Sequence, residues 1–308
     1  MEIAHKTEFV TVSDGAKIAL HSWVPKNFSG CVVHISHGMA EYALRYDSFA
    51  RFLAEQGYTV FAHDHRGHGQ SIQDSAPMGH LADKDGLWRV INDLKEIIEY
   101  TKKTYPESKY VLFAHSFGSF AAQVFITKYG SLINSLILSG TTSFMGGLGS
   151  LTRLLASVIS IFSSVRNPSP FLTSIAFGSY NTKISKPSSP NAWLSRDEEE
   201  VKKYDESPLC GFPCTPGFYK DLGEAFTIMN KKANMKKIPK HITILLIAGT
   251  DDPVGGYGKQ VKKLYDAYEN LQFTSKIILY PQGRHESLNE INRDAVYTDI
   301  LSWIKNYA

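Results

Sequence analysis

Short apolar runs rich in β-branched residues alternate with longer segments whose apolar residues fall at helical spacing. This alternation restricts the chain to an α/β architecture. Residues 31–36, 58–63, 110–114 and 132–139 read as strands. Residues 42–56 carry Tyr46, Phe49, Ala50 and Leu53 at helical spacing and stop at Gly57. Residues 87–105 carry Leu87, Val90, Ile91, Leu94, Ile97 and Ile98 and stop at Pro106, and residues 120–129 form a further helical segment. Strands separated by helices imply parallel βαβ units. Residues 8–13 and 17–24 flank Asp14-Gly15, which predicts an antiparallel hairpin at the N-terminal edge.

The rhythm breaks at Gly140 and resumes with a strand at 242–248, a helix at 259–269, a strand at 276–280 and a helix at 293–305. The expected organisation is therefore a core of residues 1–140 and 241–308 interrupted by an insertion at 141–240. An insertion after the C-terminal end of a strand overhangs the crevice where open α/β sheets bind ligands, so it reads as a cap or lid. Within it, Leu148, Leu151, Leu154, Leu155, Val158, Ile159 and Phe162 share one helical face. That face has three readings: a stripe buried on the core, the wall of an acyl-chain pocket, or a contact with a membrane surface. A segment rich in proline and serine and an acidic patch at 197–200 follow.

A net charge of +3 argues against a nucleic-acid partner. Three cysteines cannot build a multi-bridge framework, which points to a reducing compartment. Cys210 and Cys214 lack nearby histidines and read as free thiols rather than a zinc set. The N-terminus has no signal-peptide run and no apolar stretch is long enough to span a membrane, so a cytoplasmic protein is expected, peripheral to a membrane if the cap touches lipid.

The strand at 110–114 runs into Ala114-His115-Ser116-Phe117-Gly118, a variant of G-x-S-x-G with alanine at the first glycine. A serine at a strand-to-helix turn is either a nucleophile or a helix N-cap. A nucleophile needs a base, and the base needs a carboxylate, both on loops after later strands. Gly249-Thr250-Asp251-Asp252-Pro253-Val254 follows one late strand and Pro281-Gln282-Gly283-Arg284-His285-Glu286 the next. Of eleven histidines, only His285 follows a late strand. Asp252, stiffened by Pro253, is the preferred carboxylate, and Asp251 reads as a turn former. Oxyanion donors are expected from the backbone N–H groups of Phe117 and of Met39, in His37-Gly38-Met39. His63, His65 and His68 match a metal-like spacing, but they sit in a glycine-rich turn without a carboxylate cluster and read as structural. No phosphate-cradling loop or dinucleotide fingerprint occurs, so no cofactor or metal is expected.

Five segments in order, His37-Gly38-Met39-Ala40-Glu41, Phe61 through Ser71, the Ser116 turn, Gly249 through Val254 and Gly283-Arg284-His285-Glu286, resemble the α/β-hydrolase family of monoacylglycerol lipases and lysophospholipases. The resemblance is weakest in the insertion. It implies an eight-stranded, mostly parallel sheet with helices on both faces, and hydrolysis of a small lipid-like ester by Ser116, Asp252 and His285. It also sets Glu41 and Arg45 near the polar alcohol end of a substrate. Leu148 and Leu151, on the helical face read above as a possible acyl-pocket wall, are substrate-binding candidates in the cap. A serine aminopeptidase on the same scaffold would need cap carboxylates such as Glu198, Glu199, Glu200 or Glu206 to hold an α-amino group. A non-catalytic binding protein is a third reading, although such proteins usually lose a triad member.

Overall fold

The computed structural model describes residues 3–73, 76–143, 145–229 and 231–308. Eight strands form one sheet in the order β1-β2-β4-β3-β5-β6-β7-β8. They are β1 (Ile3–Thr11), β2 (Lys17–Pro25), β3 (Cys31–Ser36), β4 (Thr59–His63), β5 (Lys109–His115), β6 (Ser135–Ser139), β7 (Thr243–Gly249) and β8 (Ser275–Tyr280). The hairpin β1–β2 is antiparallel and joins β4 antiparallel, while β4, β3 and β5 to β8 are all parallel. The eight-stranded, mostly parallel sheet implied by the resemblance is thus present.

Each central strand sends alternate side chains to opposite faces. On one face Val32, Leu112, Leu136 and Leu246 pack against α2 (Gly86–Lys102), α3 (Phe117–Tyr129) and α9 (Lys259–Asn270) through residues such as Ile91, Val124 and Leu264. On the other, Val33, Phe113, Ile137 and Leu245 pack against α1 (Asp47–Glu55) and α10 (Arg293–Tyr307) through Phe49, Leu53, Ile300 and Trp303. Burial on both faces is why these strands read as near-continuous apolar runs.

Several boundaries differ from the sequence reading: the first strand runs over Ile3–Thr11 rather than 8–13, α2 stops at Lys102, α3 starts at Phe117, and two further boundaries are set by long-range hydrogen bonds. Residues 42–56 divide into a 3-10 turn, Ala43–Tyr46, and α1. The Ala43 N–H donates to Asp64 Oδ1 at 2.7 Å, an anchor on a distant loop that periodicity does not register. The run at 132–139 loses its first residues to a 3-10 turn, Gly130–Leu132, and Asn134 then spends its side chain on the Tyr110 N–H at 2.8 Å.

Between β6 and β7 lie α4 (Gly146–Phe162), α5 (Pro170–Phe177), α6 (Glu198–Glu206), α7 (Pro216–Ile228) and α8 (Lys232–Met235). Helices α4 and α7 pack closely: a Cβ on Gly149 would sit 2.8 Å from the Gly223 carbonyl, and one on Gly223 would sit 2.7 Å from the Gly149 carbonyl. The apolar face of α4 is not buried as one stripe. Leu155 and Ile159 are partly buried, but Leu151, Leu154, Ile161 and Phe162 are 60 to 86% exposed. Among the described residues no helix is long and apolar enough to cross a membrane.

Candidate active site

Strand β5 ends at His115, and the chain turns sharply into α3 through Ser116, whose φ of 50° and ψ of −121° are unusual for a residue with a side chain. Such strain persists only where the surroundings impose it. Here the Ser116 N–H donates to the Ser139 carbonyl at 3.0 Å, and its own carbonyl accepts from the Ser119 and Phe120 N–H groups. The Ser116 hydroxyl makes no helix-capping hydrogen bond, so the N-cap role is not taken. The turn also requires small neighbours. A Cβ on Gly118 would lie 2.5 Å from the carbonyls of Ser36 and His37, and one on Gly38 would lie 3.1 Å from Ser116 Cβ. Ala114 is fully buried in the core, where its methyl group is accommodated.

The loop after β7 presents Asp252 and the loop after β8 presents His285, both buried. His285 Nδ1 lies 3.0 Å from Asp252 Oδ1, which also accepts the Val254 N–H at 2.9 Å. A carboxylate only accepts, so Nδ1 carries the proton and Nε2 is the basic nitrogen. Burial pulls the imidazole pKa down, but the charge and hydrogen bond of Asp252, with Glu286 and Glu41, outweigh it and leave His285 above its ordinary value. Asp251 is exposed and its N–H donates to the Gly283 carbonyl, a turn contact. Gly140, at φ 56°, leaves room for the imidazole, since a Cβ there would stand 2.8 Å from His285 Cε1. The rings of His115 and Trp193 lie 4.7 and 5.0 Å from that of His285.

Two cavities meet at Ser116. One, of about 380 Å³, is mainly apolar, with Phe120, Leu148, Leu151, Leu155, Ile175 and Leu222 among its walls. The other, of about 300 Å³, is lined by Glu41, His285, Glu286, Trp193, Tyr204 and Asn191, among others. Met39 and Phe177 border both. Glu41 therefore faces the serine-side space, whereas Arg45 lies behind it, in a separate polar cleft with Asp47, Glu200 and Arg293. Glu198, Glu199, Glu200 and Glu206 line neither cavity. Glu200 instead pairs with Lys203 and Arg293. The histidines of the β4 loop are tied into hydrogen bonds, with His63 Nδ1 2.9 Å from His34 Nε2 and the His65 N–H donating to His37 Nε2 at 2.9 Å.

The sequence reading gave no role to Glu286, Trp193 or Tyr204. Glu286 adjoins the histidine and could have been marked by that position. Trp193 and Tyr204 lie in the insertion and carry no local motif. The segment between β6 and β7 is held to the site by backbone contacts: the His285 N–H donates to the Trp193 carbonyl at 3.3 Å, and the Glu286 N–H to the Leu194 carbonyl at 2.8 Å. Arg284 Nη1 donates to the carbonyls of Ala192 and Ser195 at 2.7 and 2.8 Å.

The sequence model of the Hydrolase_4 family, described as serine aminopeptidase, S33, matches residues 29–292. The chain belongs to this family. It is a monoacylglycerol lipase-like α/β-hydrolase, of the lipase and esterase type. It is 26% identical over 306 residues to the monoglyceride lipase of Rattus norvegicus, covering 96% of this chain and 88% of that one. It is 25% identical over 296 residues to the monoacylglycerol lipase of Mycolicibacterium smegmatis, covering 95% and 94%. A thermostable carboxyl esterase from Bacillus coagulans, crystallised with glycerol, superposes with a TM-score of 0.91 at 26% identity over 99% of both chains. In this hydrolase family setting, the paired loops after β7 and β8 and the turn at Ser116 occupy the end of the sheet where α/β folds bind their ligands.

Proposed function

We propose that this hydrolase cleaves carboxylic esters of lipid-like substrates by acyl transfer through Ser116. The observation that carries the reading is the position of Ser116 where an apolar cavity and a more polar one meet, on a chain that also holds a buried His285–Asp252 pair. His285 Nε2 accepts the Ser116 proton as the oxygen attacks the acyl carbon, and Asp252 holds the imidazole orientation and stabilises its charge. The N–H groups of Met39 and Phe117 stabilise the oxyanion. Gly38, the neighbour of Met39, has its N–H occupied by a Glu41 carboxylate oxygen. His285 then protonates the leaving alcohol, and water, deprotonated by His285, releases the acid.

The acyl chain fits the apolar cavity, with Leu148 and Leu151 as wall residues of a cap spanning 141–240. The alcohol fits the second cavity with Glu41. Among the described residues no lysine or arginine lines that cavity, so a phosphate head group would be buried there without a countercharge. This favours a neutral alcohol, as in a monoacylglycerol, over a lysophospholipid. Exposed Leu154, Ile161 and Phe162 on α4 support transient contact with a lipid surface during substrate uptake. The test is turnover of monoacylglycerols, lysophospholipids, short p-nitrophenyl esters and aminoacyl-naphthylamides by the wild type and Ser116→Ala. Monoacylglycerol turnover abolished by the substitution supports the reading. Turnover of the naphthylamides alone would replace it with aminopeptidase activity.

A further inference from the structure

Arg45 makes more contacts around the site than a residue of a separate cleft needs. Its Nη1 donates to Glu41 Oε2 at 2.7 Å. Its Nη1 and Nη2 also form a two-pronged bridge to Glu286 Oε1 and Oε2, at 2.6 and 2.7 Å. Only 9% of the arginine side chain is exposed. Glu41 Oε1 in turn accepts the Gly38 N–H and the Tyr46 hydroxyl, the latter at 2.9 Å. Glu286 Oε2 also accepts from Asn289 Nδ2 at 2.8 Å. The guanidinium lies 4.9 Å above the ring of Tyr204, whose hydroxyl donates to the Ala40 carbonyl at 3.0 Å. One cation therefore bridges the loop bearing Met39 and the loop bearing His285, and packs against a tyrosine from the insertion.

We propose that Arg45 is a positioning residue: its clamp on Glu41 and Glu286 sets the oxyanion loop against the histidine loop and balances the charge of two buried carboxylates beside the imidazole. The inference rests on the serine-hydrolase reading above. Planar guanidinium geometry suits a two-pronged bridge that lysine cannot reproduce. A buried carboxylate that loses its partner keeps its desolvation cost and its field. Burial and the Arg45 charge act oppositely on Glu286, and Arg45 prevails, holding that carboxyl at about 2. The groups facing His285 are Asp252 after β7, His115 at the end of β5, Glu286 on its own loop and Glu41 after β3, with Arg45 between the two glutamates. Both glutamates raise the imidazole's proton affinity.

The test compares pH profiles of kcat/KM on a p-nitrophenyl ester, and of inactivation by a fluorophosphonate, for the wild type, Arg45→Met, Arg45→Lys, Glu286→Gln and Ser116→Ala. Removing Arg45 takes a positive charge from beside the Glu286 carboxylate and the imidazole and pushes the Glu41 carboxyl, already raised by burial, further up, so the acid limb moves up in Arg45→Met under the field of Glu286. Glu286→Gln removes a negative charge and frees the arginine, so its limb moves down. In Arg45→Met and Arg45→Lys kcat falls roughly 10- to 100-fold while KM stays within about threefold. A merely structural role would not move the limb in opposite directions in two folded variants. If Arg45→Met does not fold, Glu286→Gln, nearly identical in shape, still reads the charge effect. Limbs coinciding with wild type while Ser116→Ala is inactive would overturn the Arg45 inference alone, as would a rise in KM with kcat unchanged. An active Ser116→Ala would instead overturn the serine reading.

Discussion

The strained turn at Ser116 and the buried His285–Asp252 pair lie at strand ends, where chain order restricts each proposed role to a few residues. Asp252→Asn keeps the shape of the side chain but presents the wrong hydrogen-bonding partner to Nδ1, and kcat is expected to fall by about 10⁴-fold. Its effect on pH dependence has a definite sign. Catalysis needs a neutral imidazole, and Asp252 raises the His285 pKa against the lowering effect of burial. The wild-type acid limb is therefore expected above the ordinary histidine value of about 6.5, and that of Asp252→Asn below the wild-type limb. Steady-state kinetics across pH check both. Glu286 was less legible. Its arginine partner lies 241 positions away, and nothing local to either residue announces the pair.

Elements were legible where burial imposes a period and less so where a single long-range hydrogen bond sets a boundary, as at Ala43 and Asn134. The turn between β5 and α3 combines both kinds of information. Its small residues were visible, but the reason for Gly118 was not: α3 starts against the carbonyls of β3's last residue and of His37. Gly118→Ala is expected to lower stability by about 1–3 kcal/mol, because the backbone contact cannot relax by rotating a side chain. It should also slow ester hydrolysis by shifting the Phe117 N–H. Denaturant unfolding and kcat measured on the same variant check both effects.

At the scale of the molecule, the alternation of strands and helices exposed the α/β core. Substrate choice was not legible because the cavity walls are gathered from the β3 and β7 loops, α3, α4, α5 and α7, with no shared motif. If α4 walls the acyl site, Leu151→Asp should cut turnover of long-chain monoacylglycerols by roughly tenfold or more while leaving short p-nitrophenyl esters near wild type. The proposed chemistry turns on Ser116 as the acyl-accepting nucleophile. It is tested most directly by mapping the site of fluorophosphonate modification by peptide mass spectrometry and measuring ester hydrolysis before and after. One adduct is expected, on the peptide containing Ser116, formed in step with loss of hydrolysis, with neither labelling nor hydrolysis in Ser116→Ala. A Ser116→Ala protein that is still labelled and still hydrolyses the ester would contradict it.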